Sequence, residues 1–489
     1  MSQLPVDCLN EIFEYLENDK ASLHSCLLVN RLWCEVSVRI LWRNSWNYNS
    51  FNYITLISCL SDESKEILSN NGIIILNSTS KPPMFDYASF CKVLSVDSVY
   101  YLIGVLLKSN HIISSSNLYD NILNLSQELL KLFMSQITSL KELYFLEVSN
   151  ANLISYSGAK DCLSNISELH CNSNISPDFF YQLSQICHNI STLNIMFIED
   201  TSIGLKELIS VQRNLKHFGI TQYDCKDLSY IIPSLKENLS DNTLIKLRLN
   251  TGTPLLFISN FKNLQELELS ADFNDNFEKF DKLQYINFPQ LQILKIPYPG
   301  EFLIKFLEIN GKYLKEIYIS DSEGYSDNLL NLSIAKFCLN IRKLSTGFKN
   351  DELETLESVF NNCRYLESIK LWCGDVYLSE KEALEMVIRC SSDNMCEIIL
   401  YHLFNVRPRL LPVELESLLI EWKNRKPQKS LSLIIVNIDD KSLDANDENM
   451  KLIDKYIKLG VIKKFKVTDF EDIEFNPDYR KEVQKMLYQ

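Results

Sequence analysis

One spacing of apolar residues governs most of the chain: apolar, two residues, apolar, one residue, apolar. It occurs at Leu140-x-x-Leu143-x-Phe145, Ile166-x-x-Leu169-x-Cys171, Ile190-x-x-Leu193-x-Ile195, Leu215-x-x-Phe218-x-Ile220 and Leu244-x-x-Leu247-x-Leu249. It continues at Leu264-x-x-Leu267-x-Leu269, Leu291-x-x-Leu294-x-Ile296, Leu314-x-x-Ile317-x-Ile319 and Ile341-x-x-Leu344-x-Thr346. It closes at Leu366-x-x-Ile369-x-Leu371, Met395-x-x-Ile398-x-Leu400, Leu431-x-x-Ile434-x-Val436 and Ile462-x-x-Phe465-x-Val467. Between the hexapeptides, apolar residues fall at helical spacing, as in Asp178–His188, Glu352–Phe360, Glu382–Ile388 and Val413–Trp422. The predicted unit is strand, turn, helix, turn. Right-handed crossovers would stack such units into an α/β solenoid over 140–489, a horseshoe with parallel strands on its concave face and helices on its convex face. Cys187, Phe261, Phe288, Cys338 and Cys363 precede their hexapeptides by three positions and read as buried fillers, a Cys338–Cys363 redox pair being the alternative.

Strand alternation points the third and fifth residues of each hexapeptide away from the core. Those positions hold the candidate target-binding residues Tyr144, His170, His217, Lys246, Arg248, Glu268, Lys295, Tyr318, Lys343 and Lys370. Glu142, Glu266 and Glu316 share that face. The signs alternate, which suits a protein partner of mixed charge. Lys246, Arg248, Lys295, Lys343 and Lys370 trace a candidate basic stripe.

Residues 1–46 follow another pattern. Cys8, Leu9, Ile12, Phe13 and Leu16 mark one helix face, Leu23, Cys26, Leu27 and Val29 a second run, and Val36 to Trp42 a third. Three short helices hold too little core to stand alone with ease, which predicts docking on a partner. Residues 47–139 read as a helical spacer passing into degenerate early repeats, with helices over 51–60, 98–107 and 122–133 and a candidate strand at Ile73-Ile74-Ile75-Leu76.

The hexapeptide array resembles the leucine-rich repeat family, although only Asn174 supplies the Asn or Cys that the family's turn favours. The first module resembles the F-box: Leu4-Pro5, then Ile12-Phe13-x-x-Leu16, then Leu23-x-x-Cys26-x-x-Val29-x-x-x-Trp33, and finally Leu41-Trp42. That resemblance implies a Skp-type adaptor and a cullin as partners. It also implies adaptor contacts from Leu4, Pro5, Leu9, Ile12, Phe13, Leu16, Leu23, Cys26, Val29 and Trp33, in the manner of a helix anchored in a groove. The expected function is a substrate-receptor subunit of a Skp–cullin–F-box ubiquitin-protein ligase, holding an unidentified target on its repeats. A repeat scaffold acting outside any ligase is the alternative.

Chemistry changes this picture little. No Gly-rich phosphate loop occurs among only 12 glycines, and no C-x-x-C, H-E-x-x-H or G-x-S-x-G. No cofactor, metal or catalytic residue is therefore expected. Glu266 and Glu268 lie two apart on a strand, where acid–base work is conceivable but a solvated face is the plainer reading. The net charge of −14 disfavours nucleic acid, and only −2 of it lies in the first module. The N-terminus lacks a signal-peptide pattern and no apolar run approaches ~20 residues. No membrane association is expected, and the expected place is the cytoplasm, the nucleus or both.

Overall fold

The computed structural model describes residues 4–73, 83–109, 118–146, 152–198, 203–222, 243–250, 255–270, 282–296, 301–319, 324–374, 376–402, 410–426, 429–437 and 442–468. The chain divides into two compact units, residues 1–241 with 484–489, and residues 242–483.

The first unit opens with helices α1 (Val6–Glu14), α2 (Lys20–Cys26) and α3 (Arg31–Leu41). Pro5 stands at the N-cap rather than inside the first turn, and its carbonyl accepts from Leu9 N at 3.1 Å. Asp19 and Asn30 cap the other two helices through their side chains, accepting from Ser22 N and Trp33 N. The interior is small: Leu9, Phe13, Leu23, Cys26, Val36 and Ile40, flanked by Leu16, Leu32, Trp33 and Leu41. Trp33 meets the Phe13 ring edge-on at 5.1 Å.

Helices α4 (Ser50–Ser58) and α5 (Asp62–Asn70) follow, then β1 (Val93–Ser95), α6 (Val96–Ser109) and α7 (Leu118–Gln136). The expected helices near 51–60, 98–107 and 122–133 are thus present. Of the candidate strand, Ile73 belongs to no strand and Ile74 to Leu76 lie outside the described residues. The sheet starts earlier than the hexapeptides: β1 pairs in parallel with β2 (Glu142–Phe145). Ser95 N also donates to Ser45 Oγ at 2.8 Å, tying the three-helix module to this first strand. Next come α8 (Ala159–Leu163), β3 (Glu168–Asn172), α9 (Pro177–Ile186), β4 (Thr192–Phe197), α10 (Ile203–Ser210) and β5 (His217–Gln222). Strands β1 to β5 pair in sequence order, all parallel.

The second unit repeats the theme with β6 (Lys246–Asn250), β7 (Glu266–Ser270), β8 (Ile293–Ile296), α11 (Phe302–Asn310), β9 (Glu316–Ile319), α12 (Asn328–Phe337) and β10 (Lys343–Ser345). It ends with α13 (Leu353–Asn362), β11 (Ser368–Cys373), α14 (Glu380–Cys390), β12 (Glu397–His402), α15 (Pro412–Lys423), β13 (Leu431–Val436), α16 (Asp447–Lys458) and β14 (Ile462–Thr468). These nine strands are also parallel and in sequence order.

The middle apolar residue of each hexapeptide sets the register. Leu143, Leu169, Leu193 and Phe218 are partners from strand to strand, as are Leu247, Leu267, Leu294, Ile317, Leu344, Ile369 and Ile398. All are buried, and each contributes on the order of 1.5–3 kcal/mol of apolar burial. The next partner is Leu433, not Ile434. The sequence register of that repeat is therefore off by one. Leu433 and Ile435 fill the interior, while Ile434 and Val436 lie on the opposite face with Trp372, Ile399 and Tyr401. A bulge at Leu431/Ser432 then brings Phe465 opposite Leu433.

Buried amides bind one repeat to the next. Gln212 Oε1 accepts from Ile190 N at 2.9 Å while its Nε2 donates to the Cys187 and Leu208 carbonyls. Asn310 repeats the pattern with Phe288 N, Ile286 O and Phe306 O. Each satisfies backbone groups that burial would otherwise strand. The turn role expected of Asn174 falls to Asn172, which donates to the Leu146 carbonyl and accepts from Asn174 N. The filler cysteines act similarly: Cys187 Sγ donates to Ile166 O at 3.5 Å and Cys363 Sγ to Cys338 O at 3.7 Å. Burial pushes the Cys363 thiol up to about 12 and Cys187 to about 11. Both are neutral donors, and Cys338 and Cys363 are buried free thiols in neighbouring repeats.

Candidate interaction surfaces

Two surfaces collect the residues singled out by the sequence. The first is the outside of the three-helix module. Leu9, Phe13, Leu23 and Cys26 belong to its interior, and Leu16 and Trp33 pack against it. They shape the module and leave a partner little to touch. Leu4, Pro5, Ile12 and Val29 are exposed. Beside Ile12 lie Cys8 and Tyr15, also exposed, at the i, i+4, i+7 spacing of a single helix flank. Tyr15 and Leu28 are each 89% exposed, which is costly for a large ring and a leucine without a partner. Sequence reasoning passed over both, because it sought the core stripe and not its neighbour. Arg43 clamps the module's base, its guanidinium 2.5 Å from Glu14 and 3.7 Å from Glu17.

The second surface is the strand face. On β6 to β10 of the second unit its charges are paired across strands. Lys246 Nζ is 3.1 Å from Glu266, and Arg248 grips Glu268 at 2.8 and 3.1 Å. Lys295 reaches Glu266 at 3.4 Å and Glu268 at 3.9 Å, and Lys343 reaches Glu316 at 3.3 Å. Tyr318 OH donates to Glu316 at 2.8 Å. Burial pushes the Glu266 carboxyl up, but Lys246 and Lys295 outweigh it and hold the group below the usual range. The expected basic stripe is thus a ladder of alternating sign, with no bare row of cations. Lys370 departs further. It is only 3% exposed, its ammonium 4.9 Å from the Trp372 ring and 4.7 Å from the Tyr401 ring. Glu266 and Glu268, engaged by three cations, form no acid–base pair.

In the first unit two rows cross the strands. Glu142, Glu168, Thr192 and His217 are partners, and so are Tyr144, His170, Asn194 and Gly219. His170 is 8% exposed and so does not stand in solvent as its strand position suggests. It stacks on Tyr144 with centroids 4.2 Å apart, and Trp46 meets Tyr144 edge-on at 5.2 Å. Asn194 Nδ2 lies 3.2 Å from His170 Nδ1, and Thr192 Oγ1 3.2 Å from His217 Nδ1. Gly219 makes room: a Cβ there would sit 2.1 Å from Asn194 Oδ1. Burial, then the charge of Glu168, pushes the Glu142 carboxyl up.

Among the described residues, no three His, Cys, Asp or Glu side chains meet as a metal site, and no helix is long and apolar enough to cross a membrane. His111 lies outside them. His402 is fully buried, 2.8 Å from Glu380, whose carboxylate also accepts from Leu443 N at 2.9 Å. That cluster joins the end of β12 to the first turn of α14 and to Leu443. A surface groove between α15 and α16 is lined by Pro412, Val413, Glu416 and Lys455, with Lys455 and Glu416 paired at 2.6 Å.

Residues 1–47 match the F-box-like family, so the N-terminal region is F-box-like. No curated protein matches the chain. Among solved structures it is similar to a chain in the crystal structure of the Rad7 and Elc1 complex in yeast. Identity is 14%, over 71% of this chain and 89% of that one, with a TM-score of 0.38.

Proposed function

We propose that this protein is a substrate-receptor subunit of a Skp–cullin–F-box ubiquitin-protein ligase. The observation that carries the reading is an F-box-like module with exposed apolar side chains: Cys8 and Ile12 on α1, Tyr15 at its C-cap, and Leu4, Leu28 and Val29 elsewhere in the same module. A Skp-type adaptor would cover those side chains, and a cullin would join through the adaptor. The strand face of the repeats, whose Leu and Ile ladder resembles leucine-rich repeats, would hold the target. Its contribution is proximity: a tethered target meets a charged ubiquitin carrier at raised effective concentration. No residue of this chain performs the transfer, and the protein works in the cytoplasm, the nucleus or both. The test is co-elution of the full chain with a Skp-type adaptor and a cullin N-terminal region. A ternary peak is the expected result. Binding of neither component would leave the repeats as a scaffold outside any ligase.

A further inference from the structure

The carboxylates of the two strand faces differ in one respect. In the second unit Glu266, Glu268 and Glu316 each have a Lys or Arg nitrogen within 3.9 Å. In the first unit Glu142 and Glu168 are direct cross-strand partners, and among the described residues neither has a lysine or arginine as an ion-pair partner. Glu142 receives only the Tyr144 hydroxyl at 3.3 Å. Arg43, the base of the adjoining module, is committed to Glu14 and Glu17. Like charges facing each other across strands are destabilising, so the pair is held at a cost.

A second, independent observation lies beside it. The His170 side chain is nine-tenths buried, and its Nε2 makes no hydrogen bond. With the Asn194 amide donating to Nδ1, the proton of the neutral ring sits on Nε2. Among the described residues its ion-pair neighbour is Glu168, at 3.9 Å. That is beyond hydrogen-bond reach. A positive charge between Glu142 and Glu168 removes their repulsion. It also frees Glu168 to close on the Nε2–H, leaving the Tyr144–His170 stack as the flat wall of the site. Both deficits are met by one chemistry.

We propose that Glu142 and Glu168, backed by the stacked Tyr144 and His170, form a docking site for a lysine or arginine side chain of the target protein, which makes the target segment basic. This deepens the receptor reading above and rests on it for the word target.

The probe is a capped Gly-Arg-Gly-Arg-Gly peptide titrated calorimetrically into the full chain, with a Gly-Glu-Gly-Glu-Gly peptide as counterpart. The arginine peptide is expected to bind and the glutamate peptide not. Glu142→Gln with Glu168→Gln is expected to weaken binding by about tenfold, and Glu142→Gln alone by less. Glu266→Gln with Glu268→Gln, whose carboxylates are already paired, is expected to leave it within about twofold. The His170 Nε2 proton resonance should shift on binding. Equal binding of both peptides, or equal loss in the two double variants, would overturn the proposal. The adaptor is bound elsewhere, so the two readings fail separately. A chain that binds adaptor but not the arginine peptide sinks the docking site alone. One that binds the peptide but no adaptor keeps the site and sinks the ligase.

Discussion

In α1 to α3 the apolar side chains outnumber the places in the interior, whereas on β6 to β10 nearly every charge finds its opposite on the next strand. The helical module has a six-residue core and still leaves Ile12, Tyr15, Leu28 and Val29 to water. The strand ladder leaves Lys246, Arg248, Lys295 and Lys343 each on a glutamate. A surface complete in itself offers a partner little free energy, because its own pairs must first be broken. A surface with unburied apolar side chains gains by being covered. The difference argues that the strongest partner of this protein meets the helices, and that contacts on the strand face are selective instead of tight.

The comparison breaks most severely at the module's interior. Phe13→Ala, which empties a 2% exposed site against Trp33, should cost about 3–5 kcal/mol. Hydrogen exchange of the α1–α3 amides reads this directly, and unchanged protection would show that Phe13 is not core. Glu268→Gln should cost about 2 kcal/mol, because it strips Arg248 and Lys295 of a carboxylate that is 4% exposed. Denaturant unfolding of the second unit is the measurement. A pH series tests Glu14. Its hydrogen bond with Arg43 holds the carboxyl below its usual 4.5. The stabilisation is thus complete above that value and is lost as pH falls through the lowered one. The thermal midpoint gap between wild type and Arg43→Gln should therefore be widest near neutrality and narrow as the pH is taken below 4.5. The smallest effect is expected at Glu367→Gln, whose partner Arg342 is mostly exposed, at no more than about 0.5 kcal/mol.

The interior of the repeats was legible because an apolar triplet recurring mostly every 20 to 29 residues leaves only one stackable register. The reading slipped at 431–436, where Leu-Ser-Leu-Ile-Ile-Val is apolar on both faces and a two-residue period cannot choose between them. It passed over β1, whose three residues carry no hexapeptide. It also passed over Gln212 and Asn310, since an amide at a helix end looks like any surface polar residue until its backbone partners are known. The basic stripe was misread for a related reason. Lys246 and Glu266 are 20 positions apart, and their pairing exists only once the strands align. On the module, periodicity grouped Cys8 and Ile12 with the core residues Leu9 and Phe13 although both are exposed, and it gave no weight to Tyr15 and Leu28.

The central claim is that this surplus is a docking surface, and the affinity of the full chain for a Skp-type adaptor tests it most directly. Ile12→Asp should weaken binding by more than about tenfold with the fold intact. Leu329→Asp, an exposed leucine on α12, should not change it. Undiminished binding by Ile12→Asp, or equal loss in both variants, would contradict the account.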